Sequence, residues 1–80
     1  MRITLLYFAA VRELVGKDEE QIDVDAKTIG ELSAWLPTRH PALSGRLQSV
    51  RFARNETFAT NDEPIADGDV VALIPPVAGG

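Results

Sequence analysis

Asp69-Val70-Val71-Ala72-Leu73-Ile74-Pro75-Pro76-Val77-Ala78-Gly79-Gly80 is the stretch on which the reading of this chain turns. Residues 69–74 carry an unbroken apolar run, the pattern of a buried strand. Two prolines follow, and proline has no N–H to give to a ladder, so pairing is expected to end there. Residues 1–74 therefore read as a globular domain and residues 75–80 as a flexible tail. An extended tail of that length reaches roughly 20 Å, at about 3.3–3.6 Å per residue. Pro75-Pro76 stiffens its base, and Gly79-Gly80 strips its tip of side-chain bulk. Such a tail is a stalk whose end carboxylate could thread a narrow channel. The alternative is a frayed terminus, where small residues are common.

The rest of the chain bears on that choice. Eighty residues at 45% hydrophobic and 25% charged make one ordinary globular domain with a modest core. With no cysteine, a disulfide framework, a thiolate metal site and a cysteine nucleophile are all excluded. Met1-Arg2-Ile3-Thr4 leads straight into a strand pattern, and no apolar run nears the span of a membrane, so a cytoplasmic protein is expected. A net charge of −4 argues against nucleic acid or an anionic membrane as the main partner.

Residues 2–8 read as a strand with Ile3, Leu5 and Tyr7 on one side and Thr4, Leu6 and Phe8 on the other. Residues 9–15 read as a short helix ended by Gly16. Lys17-Asp18-Glu19-Glu20 reads as a solvated charged turn, and residues 21–25 as a half-buried strand with Ile22 and Val24 inward. Thr28 opens the main helix through a capping box with Glu31, each side chain bonding the other residue's backbone N–H. Ile29, Leu32, Trp35 and Leu36 form its apolar stripe, with Trp35 read as core. Pro37 is expected to kink or stop the helix near Leu36. Residues 42–47 add a further turn or two. Residues 48–54 and 57–60 read as strands joined by an Asn55-Glu56 turn, with Val50 and Phe52 inward. Ile65 plugs the core, and a turn over residues 66–69 feeds the last strand.

Strands gathered around one central helix indicate an α+β fold, a mixed sheet of about five strands with the helix across one face. The first and last strands are the most apolar and are expected side by side at the centre. The inward set is then Ile3, Leu5, Tyr7, Ile22, Val24, Val71 and Leu73. The outward set, Leu6, Phe8, Val70, Ala72 and Ile74, would be left bare by a single helix, with Phe58 at its edge. A patch of this kind marks a protein interface. The competing reading is that residues 9–15 or 42–47 fold over it.

Residues 6–16, Leu-Tyr-Phe-Ala-Ala-Val-Arg-Glu-Leu-Val-Gly, together with residues 67–80 and their Pro-Pro-Val-Ala-Gly-Gly ending, resemble the small subunit of molybdopterin synthase. That family consists of sulfur carriers with the ubiquitin-like β-grasp fold. The resemblance implies that the Gly80 carboxylate is adenylated by an E1-like partner using ATP and then converted to a thiocarboxylate. It implies delivery of that sulfur to cyclic pyranopterin monophosphate in the large subunit, within a heterotetramer. It assigns docking to Phe8, Phe58 and Ile74, and the stalk to Pro75, Pro76, Val77 and Ala78. Gly79 must be small beside Gly80 because both partners enclose the tip. No permanently bound cofactor is implied. Related alternatives are a sulfur carrier for thiamin thiazole or tRNA thiolation, and a ubiquitin-like protein modifier.

The remaining polar residues are read as structural or solvated. His40 is the one histidine, with no second imidazole or thiolate for a metal site. Glu56, Asp62, Glu63, Asp67 and Asp69 lack the spacing of a calcium loop and read as a solvated face. Arg51 and Arg54 read as surface charges. Ser33, Ser44 and Ser49 have no base placed beside them by any motif. The chain is therefore expected to act as a protein cosubstrate with no active site of its own.

Overall fold

A computed structural model of the chain describes residues 1–76. Strand β1 (Arg2–Tyr7) is followed by helix α1 (Ala9–Val15) and strand β2 (Glu19–Asp23). Helix α2 (Ile29–Arg39) comes next, then 3-10 turns at Pro41–Leu43 and Leu47–Ser49. Strands β3 (Arg51–Arg54), β4 (Thr57–Ala59) and β5 (Val70–Ile74) complete the sheet. Its order is β2-β1-β5-β3-β4. β1 and β5 pair in parallel, with Leu5 opposite Val71 and Tyr7 opposite Leu73, and the other pairs are antiparallel.

The central placement of the first and last strands follows from their composition, since only a strand flanked on both edges hides so much apolar surface. All seven residues expected inward are buried, and they form one core with Ile29, Leu32 and Leu36 of α2. Trp35 packs against that core half-buried. Val11 of α1, Leu43 and Ile65 close its ends. Gly16 ends α1 at φ 87°, a left-handed position that an L side chain resists. Among the described residues no helix is long and apolar enough to cross a membrane.

Several local expectations are corrected. β1 ends at Tyr7, and Phe8 becomes the extended N-cap of α1. β2 begins at Glu19, so the charged turn is shorter than its composition indicates. β3 begins only at Arg51, because residues 47–49 coil into a 3-10 turn and leave Val50 half-buried. Pro37 does not stop α2, which runs on to Arg39. A proline in a last turn forfeits one hydrogen bond. Here the fully buried Leu36 and the bond from His40 N–H to the Leu36 carbonyl (2.8 Å) hold that turn closed. The cap of α2 is also shifted. Thr28 Oγ1 accepts from Glu31 N–H (3.2 Å), but Glu31 Oε1 accepts from Lys27 N–H (3.0 Å), one residue before the cap.

Candidate functional site

Strand parity builds the outward face. Register places Glu19, Leu6, Ala72, Ala53 and Phe58 in one row from β2 across to β4. Val70 flanks this row toward the start of β5, and Ile74, opposite Arg51, flanks it toward the tail. Phe8, Phe58 and Val70 are 45%, 53% and 37% exposed, high values for large apolar side chains. Leu6, Ala72 and Ile74 are half-buried between them. Neither segment offered as a cover lies there: Val11 of α1 and Leu43 of the first 3-10 turn both turn into the core on the opposite side of the sheet. Among the described residues neither α1 nor the 3-10 turns cover this apolar face, which carries Phe58 and Ile74, with Phe8 exposed just past the end of β1.

β5 runs along the centre of this face and ends at its rim. Pro75 is half-buried and Pro76 exposed. Both border a groove of about 400 Å³ that also touches Ala10, Leu14 and Val50. Pro75 and Pro76 thus face the same groove as α1 and the end of the second 3-10 turn. Val77 and Ala78 of the expected stalk, and Gly79 and Gly80, to which the resemblance gives the chemistry, lie outside the described residues.

Two polar clusters brace this arrangement, and both overturn readings made from the sequence. Glu20, expected in a solvated charged turn, is only 8% exposed. Its Oε1 accepts from the Tyr7 hydroxyl (2.7 Å) and from His40 Nε2 (2.8 Å). Its Oε2 accepts from Arg39 Nη2 (2.7 Å) and Nε (3.1 Å), with Lys17 Nζ at 3.4 Å. An ionised carboxylate only accepts, so His40 Nε2 carries a proton. Burial pushes the Glu20 carboxyl up, but the bonds from Arg39, Tyr7 and His40 outweigh it and hold it far below the ordinary glutamate range. Burial and the neighbouring Glu20 both raise the Tyr7 phenol. The parity of Glu20, Ile22 and Val24 is the signal that was available: counted back from Ile22, residue 20 faces inward and needs partners.

Asp69, read as solvated, is likewise buried at 7% exposure. Its carboxylate accepts from Arg54 Nε (2.6 Å), Asn55 Nδ2 (3.0 Å) and Ala66 N–H (2.7 Å). Burial opposes ionisation, and these donors, Arg54 foremost, still bring its carboxyl below the usual range. Arg54 is thus a structural ion-pair partner, while Arg51 is exposed as expected. Asn55, at φ 49°, also accepts from Val70 N–H (2.9 Å), so the β3–β4 hairpin turn is pinned to the first residue of β5. Neither cluster gathers a hydrolytic constellation, and among the described residues no three His, Cys, Asp or Glu side chains are arranged to hold a metal.

A mixed five-strand sheet with a helix across one face and the other face bare defines a ubiquitin-like β-grasp protein. The ThiS family matches residues 5–80, and the chain belongs to it. The chain is similar to the molybdopterin synthase sulfur carrier subunit of Escherichia coli, at 38% identity over 98% of this chain and 99% of that one. It is also similar to small archaeal modifier protein 1 of Haloferax volcanii, at 35% identity over 91% and 94%. The crystal structure of that archaeal protein superposes with a TM-score of 0.88 at 32% identity, covering both chains fully. Subunit 1 in the complex of subunits 1 and 2 of the molybdopterin-converting factor of Helicobacter pylori superposes at 0.71 with 27% identity, again over both chains.

Proposed function

We propose that this chain is the sulfur carrier subunit of molybdopterin synthase in molybdenum cofactor biosynthesis, acting in the cytoplasm through residues 75–80 as a tail. The observation that carries the reading is its end-to-end likeness to the Escherichia coli carrier, joined to a central strand that leads into Pro75-Pro76. A terminal carboxylate has a reference pKa of about 3.3–3.7, so at neutral pH it is ionised and a poor electrophile. An E1-like enzyme joins the Gly80 carboxylate to AMP with release of pyrophosphate from ATP. A sulfur nucleophile then displaces AMP and leaves a thiocarboxylate. That sulfur attacks cyclic pyranopterin monophosphate held by the large subunit, and two carriers act in turn to complete the dithiolene. Phe8, Phe58 and Ile74 dock the partner, while Pro75, Pro76, Val77 and Ala78 form the stalk that carries Gly79 and Gly80 into its channel. The existence of a subunit 1–subunit 2 complex in the related Helicobacter pylori protein supports a large-subunit partner, and a heterotetramer follows if the large subunit is a dimer whose two copies each bind one carrier.

Intact mass after co-expression with the activating enzyme tests this. It should rise by the difference between one sulfur and one oxygen atom, and deletion of Gly80 should abolish sulfur transfer without changing the circular dichroism spectrum. Unchanged transfer by the truncated chain would rule the carrier out. A second reading, a protein modifier joined through Gly80 to lysine, is favoured by the likeness to small archaeal modifier protein 1. Its signature in the same experiment is high-mass adducts on other proteins.

A further inference from the structure

Arg51 stands out on the bare face. Its register partner is Ile74, the last residue of β5, so it lies beside the root of the tail. Its guanidinium carbon is 3.8 Å from the centroid of the Phe58 ring. Phe58 opposes Ala53, two residues along β3, which makes the pair diagonal neighbours on one face. Stacking occupies the flat side of the guanidinium and leaves its N–H donors, which lie in its plane, turned to solvent. Arg2, Arg39 and Arg54 each hold a carboxylate of this chain at 3.0, 2.7 and 2.6 Å. Among the described residues Arg51 holds none.

The face is therefore polarised along β5. Arg51 marks the tail end. Glu56 borders Leu6 and Val70 at the other end, and Glu19 flanks Leu6 on the β2 side. Apolar contact alone does not fix rotation on a flat face, whereas misplaced like charges are strongly penalised. A carrier must dock in one rotation only, because its tail leaves from one end.

We infer that Arg51 is the specificity-determining residue of this face: it takes a carboxylate that the large subunit presents beside its apolar contact, and so aims the tail root at that subunit's channel. The inference rests on the docking reading above. Binding of the full chain to the large subunit of the same organism, at low and high salt, tests it with wild type, Arg51→Gln, Arg51→Glu and Phe58→Asp. Arg51→Glu should lower affinity about tenfold or more, chiefly through slower association, and Arg51→Gln should fall between it and wild type with a flatter salt dependence. Thermal midpoints of the two free Arg51 variants should fall alike and by only a few degrees, the loss of one exposed cation–π contact. Wild-type binding by both Arg51 variants alongside failure of Phe58→Asp would overturn the inference and leave the docking face standing. Wild-type binding by all three would remove the docking face as well.

Discussion

Replacing Glu20 by leucine keeps the bulk of a buried side chain and removes the acceptor that four donor groups share. Arg39 and Lys17 have half-exposed side chains (42% and 50%), so both rehydrate when the carboxylate goes and add little. Tyr7 is 1% exposed, and its hydroxyl loses its strong acceptor. A buried donor left without a partner costs about 1–3 kcal/mol. His40, with its side chain 15% exposed, adds up to about 1 kcal/mol. Glu20→Leu should therefore lose about 1–4 kcal/mol at neutral pH, or on the order of 5–25 °C in Tm for a domain of this size. The pH dependence has a definite sign. The folded carboxyl titrates far below its ordinary value of 4.5, so the unfolded chain binds the proton first. This share of stability is complete above that value and is lost as pH falls below it. The gap between wild type and Glu20→Leu, followed by urea unfolding across that range, should narrow in acid. A gap under about 0.5 kcal/mol at neutral pH would refute the account, because that is the range of an ordinary surface change. So would a gap that stays constant with pH. Tyr7→Phe removes one of the stranded donors, so the double variant should lose less than the sum of the singles.

Three further outcomes are expected. Phe8→Asp should weaken binding to the large subunit by about 2 kcal/mol or more in calorimetry, as for an apolar anchor, and wild-type affinity would take Phe8 out of the contact. Asp69→Ala strands Arg54 Nε, Asn55 Nδ2 and the Ala66 N–H, and should lower stability by about 1–3 kcal/mol in urea unfolding. The Asp69 carboxyl sits below its ordinary value, so this loss should also shrink as pH falls through the aspartate range. Pro37→Ala restores a missing helical N–H at some expense in unfolded-chain entropy, and should raise Tm by a few degrees, about 1 kcal/mol. A fall in Tm would mean that the ring packs better than its helical position indicates.

The apolar periodicities carried the fold a long way. The parity of Ile3, Leu5 and Tyr7, and of Val71 and Leu73, identified the core face, and the doubly apolar character of β1 and β5 placed them together at the centre. The helix over Ala9–Val15 was legible to the residue because Gly16 ends it. Charged residues misled. Glu20 and Asp69 look solvated when counted as acids in polar runs, yet each is buried among donors distant in sequence, at His40 and Arg39 for one and Arg54 for the other. Phe58 and Ile74, read as docking residues from parity and resemblance, share the outer face by register, and Phe8 follows β1 as the exposed N-cap of α1.

Local order along the chain thus determined which segments became strands and helices, which faces were apolar, and that a proline pair follows the central strand. Those properties depend on neighbours within a few residues. Tertiary structure alone decided which charges were partnered, that Arg51 stacks on Phe58 beside the end of β5, and that among the described residues Phe58 and Val70 stay exposed on the outer face. These depend on strand order and register, which bring together side chains far apart in sequence, and no short-range pattern encodes that meeting.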